Sequence, residues 1–229
     1  MNAFQYDAHQ IKEQARLIRR HVIRLNADSP AGGHTGADLS ETDILATLYF
    51  RILNTGPERT QDPERDIYIQ SKGHGVGGLY CCLAQAGYIP TEWLPTYQHF
   101  NSHLPGHPVR QKTPGIELNT GALGHGLPVA VGLALAAKMS GSKKRIYVLT
   151  GDGELAEGSN WEAAMAAGSA SAPNSQAASS AAHLIRLACS SKGCRRACTS
   201  GGGGASGGSP QKVGRQFTSR ASGSPALAA

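Results

Sequence analysis

The residues best suited to chemistry in this sequence lie beside glycines. The stretch from Val148 to Ala164, "VLTGDGELAEGSNWEAA", passes from an apolar run through Gly151, Asp152, Gly153 and Glu154 into a helix-like segment. Flanking glycines let the backbone turn sharply and approach a ligand closely. A carboxylate at a strand end can hold Mg2+ or Ca2+, which take oxygen ligands and, for Mg2+, share them with phosphates. The Gly153 amide and the following helix N-terminus suit the phosphates themselves. The same residues also read as an Asp-Gly turn in which Asp152 only caps a helix.

Four of the nine histidines share this glycine-rich setting. His34 lies in "GGHTG", His74 in "KGHGVGG", His107 in "PGHP" and His125 in "GHG". Neutral imidazole can donate to phosphate or to substrate hydroxyls and can move protons near neutral pH. Zinc is the other chemistry open to histidine, but no H-x-x-x-H or C-x-x-C spacing supports it.

The surrounding elements must bring these loops together. A helix is predicted from about Asp7 to Leu25, with Ile11, Ala15, Ile18, Val22 and Leu25 on one face. After the loop "SPAGGHTGADLS", Ser40 reads as the N-cap of a second helix, with Asp43 three residues on. "DIYIQS" (66–71) is a β-prone run that meets "KGHGVGG" and a helix ending near Gly87. "RIYVLT" (145–150) is a second such run, leading into Asp152 and a helix from about Ser159 to Ala167. Between them, "TGALGHGLPVAVGLALAAKMSG" starts as a glycine-rich turn and becomes an apolar helix rich in small residues. Strands alternating with helices predict an α/β domain, a parallel sheet flanked by helices. In such sheets ligands bind beyond the carboxyl ends of the strands, where both glycine-rich loops fall.

The formal net charge of +6 is unevenly spread. Residues 1–168 hold 15 Lys/Arg and 16 Asp/Glu, whereas residues 169–229 hold seven Lys/Arg and no acid. The basic balance therefore gives the folded part no reason to bind nucleic acid. The N-terminus lacks an apolar signal core, and no apolar run approaches the roughly 20 residues of a membrane span. A cytoplasmic protein without a membrane partner is expected. Residues 169–229 read as a low-complexity basic tail, disordered because it has too little apolar surface to offset ordering.

Five ordered motifs carry a family resemblance. "GGHTGADLSETDILATLYF", "SKGHG", "PGHP", "ELNTGALGHGLPVAVGLALAAK" and "VLTGDGELAEGSNWEAAM" together resemble the N-terminal, diphosphate-binding half of a transketolase. The similarity is greatest to the split type, in which this half is a separate subunit. It covers about Ala8 to Gly168, so that residues 1–168 form a partial thiamine diphosphate-binding domain. The resemblance implies thiamine diphosphate and Mg2+ (or Ca2+) as cofactors. It implies transfer of a two-carbon ketol unit from a ketose to an aldose, with sugar phosphates as substrates. It also implies a hetero-oligomer with a C-terminal subunit that carries the pyrimidine-binding domain.

By the same resemblance, Asp152 matches the metal ligand of the family's GDG motif, and Gly153 its diphosphate-contacting neighbour. His74 matches a histidine near the diphosphate, and His34 and His107 match catalytic histidines facing the sugar hydroxyls. Gly121 and Leu123 match the loop against the aminopyrimidine. Glu157 and Glu162 match acids of the subunit interface. His125 stands where related enzymes often have Gln.

The pattern departs from the family after Gly168. About 30 residues beyond its GDG, the family places a metal-binding Asn, and here that distance falls at Ala182. The simultaneous switch in acid content, charge and Ala/Ser/Gly bias is what an out-of-frame reading would produce. Two alternatives to a working subunit follow: a truncated, inactive product, or another thiamine diphosphate enzyme such as a deoxyxylulose-phosphate synthase.

Overall fold

The computed structural model describes residues 4–171 and the strand at 186–189. Two of the apolar runs pair directly. β1 (Ile67–Gln70) and β2 (Ile146–Thr150) lie parallel, Ile67 opposite Ile146 and Gln70 opposite Leu149. All five residues of β2 are buried, as expected of a strand covered on both faces. A third strand, β3 (Arg186–Cys189), adds parallel to β2, with Tyr147 opposite Arg186 and Thr150 opposite Cys189. The sequence pattern leaves this segment within the tail. Its four residues close "LIRLAC", the tail's densest apolar run in the sequence, and add to the edge of β2. The rest of the expected tail, 172–185 and 190–229, lies outside the described residues.

Helices cover the two faces of the sheet. α1 (Ala8–Asp28) begins at a capping box, in which the Gln10 amide donates to Asp7 and the Asp7 amide donates to Gln10. Its buried stripe is Ala15, Ile18, Val22 and Leu25, the face that the sequence spacing predicts. With α3 (Thr42–Thr47) and α4 (Val76–Gln85), it packs against Tyr68, Tyr147 and Leu149. On the other face, α5 (Gly126–Met139) and Ala163 of α6 (Gly158–Ser171) pack against Ile69, Ile146 and Val148. Alternate side chains of each strand thus serve opposite layers. Among the described residues no helix is long and apolar enough to cross a membrane.

Ser40 is not a helix N-cap. It closes a short helix, α2 (Thr35–Ser40), and its hydroxyl donates back to the Ala37 carbonyl. The chain enters helix at Thr35, and the next helix starts after Glu41, whose side chain is turned inward. There Glu41 meets Lys72, fully buried, at 2.8 Å. Lys72 also donates to the Ala37 carbonyl at 2.7 Å, and Gln70 donates to Glu41 at 2.7 Å. Nearby, buried Asp38 accepts from Asn26 at 2.9 Å and from the Gly78 amide at 3.1 Å. These contacts lock α2 and the end of α1 onto the turn between β1 and α4. Burial pushes the Glu41 carboxyl up to about 8, against the pull of Lys72.

This tie makes a pH-dependent prediction. K72M should destabilise the chain by about 1–3 kcal/mol below pH 7, where neutral Glu41 merely loses a donor. Without the cation, Glu41 holds its proton to still higher pH, so the native variant binds more protons than wild type above pH 8. The cost should therefore grow towards about 3–5 kcal/mol in alkali. In the E41Q/K72M pair that growth should vanish. Urea unfolding at pH 6, 8 and 9.5 measures it, and a cost independent of pH would contradict the coupling.

Candidate functional site

The Gly-Asp-Gly-Glu turn leaves β2 at its carboxyl end. Asp152 is exposed and precedes a short 3-10 turn, yet its carboxylate makes no capping hydrogen bond. Its backbone is helical, φ −66° and ψ −46°, whereas a capping residue is typically extended. The capping alternative is thus not realised. Gly153 is exposed beside it, and a Cβ there would meet nothing within 4 Å. The turn presents open backbone next to one carboxylate.

Three of the four glycine-flanked histidines converge. The His34 and His74 rings meet edge to face, with centroids 5.2 Å apart. His34 and His107 line one cavity of about 380 Å3 together with Gly32, Gly33, Gln98 and Gly106. Gly121 approaches the same group, since a Cβ on it would lie 3.4 Å from the His107 ring. Burial lowers the pKa of His74, and the positive charges of His34, Lys72 and His107 lower it further. Its ring is accordingly neutral at neutral pH, with one N–H to donate. His125 stands apart in role: its Nδ1 lies 2.9 Å from the Leu123 carbonyl at the start of α5. Glu157 and Glu162 are exposed at the beginning of α6, beside the exposed Trp161 and Met165.

A residue without an expected role holds the loops together. Glu154 is buried, and its carboxylate accepts from the Gly124 amide at 2.8 Å and the Gly151 amide at 2.9 Å. It also accepts from the Ser71 hydroxyl, which in turn accepts from the Gly126 amide at 3.2 Å. The Gly124 carbonyl accepts from Ser159 at 2.7 Å. Gly124 has φ +80°, and a Cβ there would sit 2.6 Å from Glu157 Cβ and Ser159 Oγ, so the position requires glycine. The sequence signal for Glu154 is faint: an acid directly after an expected ligand turn. Gln98, which lines the histidine cavity from a left-handed backbone at φ 60°, gives no sequence signal at all.

The donor set fits a diphosphate with a cation. Asp152 supplies one carboxylate, Gly153 an open backbone, and His74 a neutral donor. Among the described residues no three His, Cys, Asp or Glu side chains group as a metal site. A cation at Asp152 would need further oxygen ligands, which phosphate groups commonly supply to Mg2+. Ala182, at the distance of the family's second ligand, lies outside the described residues. A separate cavity of about 210 Å3 near the start of β1, lined by Tyr49, Arg65, Tyr88 and Glu117, includes none of these histidines.

Residues 12–174 match the family described as "Transketolase, thiamine diphosphate binding domain". One of the subunits of the apulose-4-phosphate transketolase of Actinobacillus succinogenes is 70% identical over 167 residues, which are 73% of this chain and 60% of that protein. The 6-deoxy-6-sulfo-D-fructose transketolase subunit SqwG of a Clostridium species is 44% identical over 159 residues, 69% of this chain and 57% of that protein. The chain thus spans 60% or less of the length of these curated relatives. Among solved structures, transketolase from Leishmania mexicana superposes with a TM-score of 0.65 at 32% identity, covering 72% of this chain and 26% of that one. Transketolase from Campylobacter jejuni gives 0.65 at 35% identity, covering 71% and 27%. The convergent histidines, the open GDG turn and these matches agree: the chain belongs to the transketolase family and carries its thiamine diphosphate-binding domain.

Proposed function

We propose that this chain is the diphosphate-binding subunit of a split transketolase, acting on a ketose phosphate of the kind named for its apulose-4-phosphate relative. The observation that carries this reading is the convergence of His34, His74, His107 and the Gly121 loop beyond the carboxyl ends of β1 and β2. Asp152 would hold Mg2+ through one carboxylate oxygen, and Gly153 and His74 would donate to the diphosphate. Gly121 and Leu123 would lie against the aminopyrimidine. His34 and His107, exposed in the cavity, would orient the sugar by hydrogen bonds to its hydroxyls. Bound thiamine diphosphate supplies the electron sink for breaking and remaking a carbon–carbon bond of the sugar.

The partner in this reading is a second chain carrying the pyrimidine-binding domain, giving a cytoplasmic hetero-oligomer. Trp161 and Met165, near Glu157 and Glu162 in α6, and Val129 and Leu133 of the neighbouring α5 are large apolar side chains left exposed, which supports these two helices as the contact between subunits. A second reading rests on the acid-free composition after residue 168: an out-of-frame segment would leave an inactive product of a transketolase gene. The DNA sequence across codons 150–229 decides this, since a frame restoring a strand and an Asn about 30 residues past Asp152 would establish it.

Two measurements test the main reading. In calorimetry with Mg2+, D152A should weaken thiamine diphosphate binding at least tenfold. Its stability should shift by no more than about 0.5 kcal/mol, since Asp152 is exposed and caps nothing. Undiminished binding by D152A would contradict the assignment. On mixing with the chain that carries the pyrimidine domain, M165K should weaken association at least tenfold without lowering the midpoint of this chain's own unfolding. Unchanged association would move the contact elsewhere.

A further inference from the structure

Glu154 lies where the turns after β1 and β2 meet the loop before α5. We infer that it is a positioning residue, which sets the spacing between the diphosphate end and the aminopyrimidine end of the cofactor site proposed above. The inference rests on that reading for the ligand, and on the observed hydrogen bonds for the linkage.

The span Gly121–Leu123 is fixed at both ends. Upstream, the Thr120 hydroxyl donates to the Gln70 carbonyl at 2.7 Å, tying the span to the end of β1. Downstream, Gly124 is gripped on both sides of its residue: its amide by Glu154 and its carbonyl by Ser159. Glu154 follows Asp152 by two residues and bonds the Gly151 amide with its other oxygen. A single carboxylate thus reaches from the GDG turn to the Gly121–Leu123 span.

The chemistry requires a carboxylate. All three partners of Glu154 donate: two backbone amides and the Ser71 hydroxyl. An ionised carboxylate offers only acceptors and can satisfy all three, whereas an amide side chain would set its own N–H against one of them. Bonds from backbone N–H to a charged carboxylate are also stronger than neutral ones. The carbonyl of Glu154 accepts from Asn160 at 2.7 Å, and the Leu155 carbonyl accepts from the Trp161 indole at 2.9 Å, so α6 anchors the residue from behind. The grip cannot slide independently of the helix.

The consequence separates two ligands. Inorganic diphosphate needs only the GDG turn and its neighbours, whereas thiamine diphosphate needs both ends in register. The test uses the whole chain with E154A, E154Q and S159A, where S159A loosens Gly124 without touching Glu154. The readouts are calorimetric affinity for each ligand with Mg2+, and amide exchange at Gly124 measured without ligand. The expected result is exchange at Gly124 at least tenfold faster in E154A and at least threefold faster in E154Q and S159A. Thiamine diphosphate affinity should fall at least tenfold in E154A and less in the other two. Diphosphate affinity should stay within twofold of wild type in S159A, which leaves the Gly151 amide held, and should fall less than thiamine diphosphate affinity in E154A and E154Q, which release it. Equal losses for both ligands, or unchanged exchange at Gly124, would overturn the inference. If E154A does not fold, E154Q and S159A decide by the same criteria. If wild type binds neither ligand, the cofactor reading fails, and an unchanged Gly124 exchange rate would then overturn the linkage on its own.

Discussion

The alternation of side chains along β1, carried past the strand's end, constrains where everything at the site can go. Tyr68, Gln70 and Lys72 face the layer of α1–α4, while Ile69 and Ser71 face the layer of α5 and α6. The consequence is two buried carboxylates on opposite sides of a two-residue step. Glu41 reaches Gln70 and Lys72 from one layer, and Glu154 reaches Ser71 from the other. The turn bearing His74 emerges between them. It is held by charge-assisted bonds from both layers, so its position is fixed by the sheet rather than by the loop's own preferences.

These two ties carry different energies. The Glu41–Lys72 pair is buried and desolvated, which makes it sensitive to the loss of either member. Its location beside α2 places His34 against His74, so a broken pair would be felt directly at the imidazoles. The Glu154 tie uses backbone amides that would otherwise be unsatisfied in tight turns. It trades no apolar packing and concerns only the glycine-rich loops. Burial is the main cause that keeps His74 neutral, and the nearness of His34, Lys72 and His107 adds to it.

Much of this was legible in the sequence where burial leaves a periodic mark. The stripe of α1, the two strands, Gly87 at φ +81° after α4 and the apolar α5 all follow from spacing and breakers. Asp152, Gly153, His34, His74 and His107 stand out as candidates because glycine flanks them, and Gly121 through the family resemblance. Ser40 misled because Ser followed by an acid three residues on is a local signal, whereas the inward turn of Glu41 depends on Lys72, far along the chain. The role of Glu154 was hidden for the same reason: Ser71 lies 83 residues away and Gly124 lies 30. The four-residue β3 is too short to leave a periodic mark that would single it out within the tail.

The proposed site depends on the strand-end turns holding a diphosphate beside Asp152. The most direct measurement is phosphorus NMR of thiamine diphosphate titrated with the chain in Mg2+. Both phosphorus resonances should shift and broaden, and D152A should move the spectrum back towards that of the free ligand. Resonances that stay at their free positions with saturating chain would contradict it.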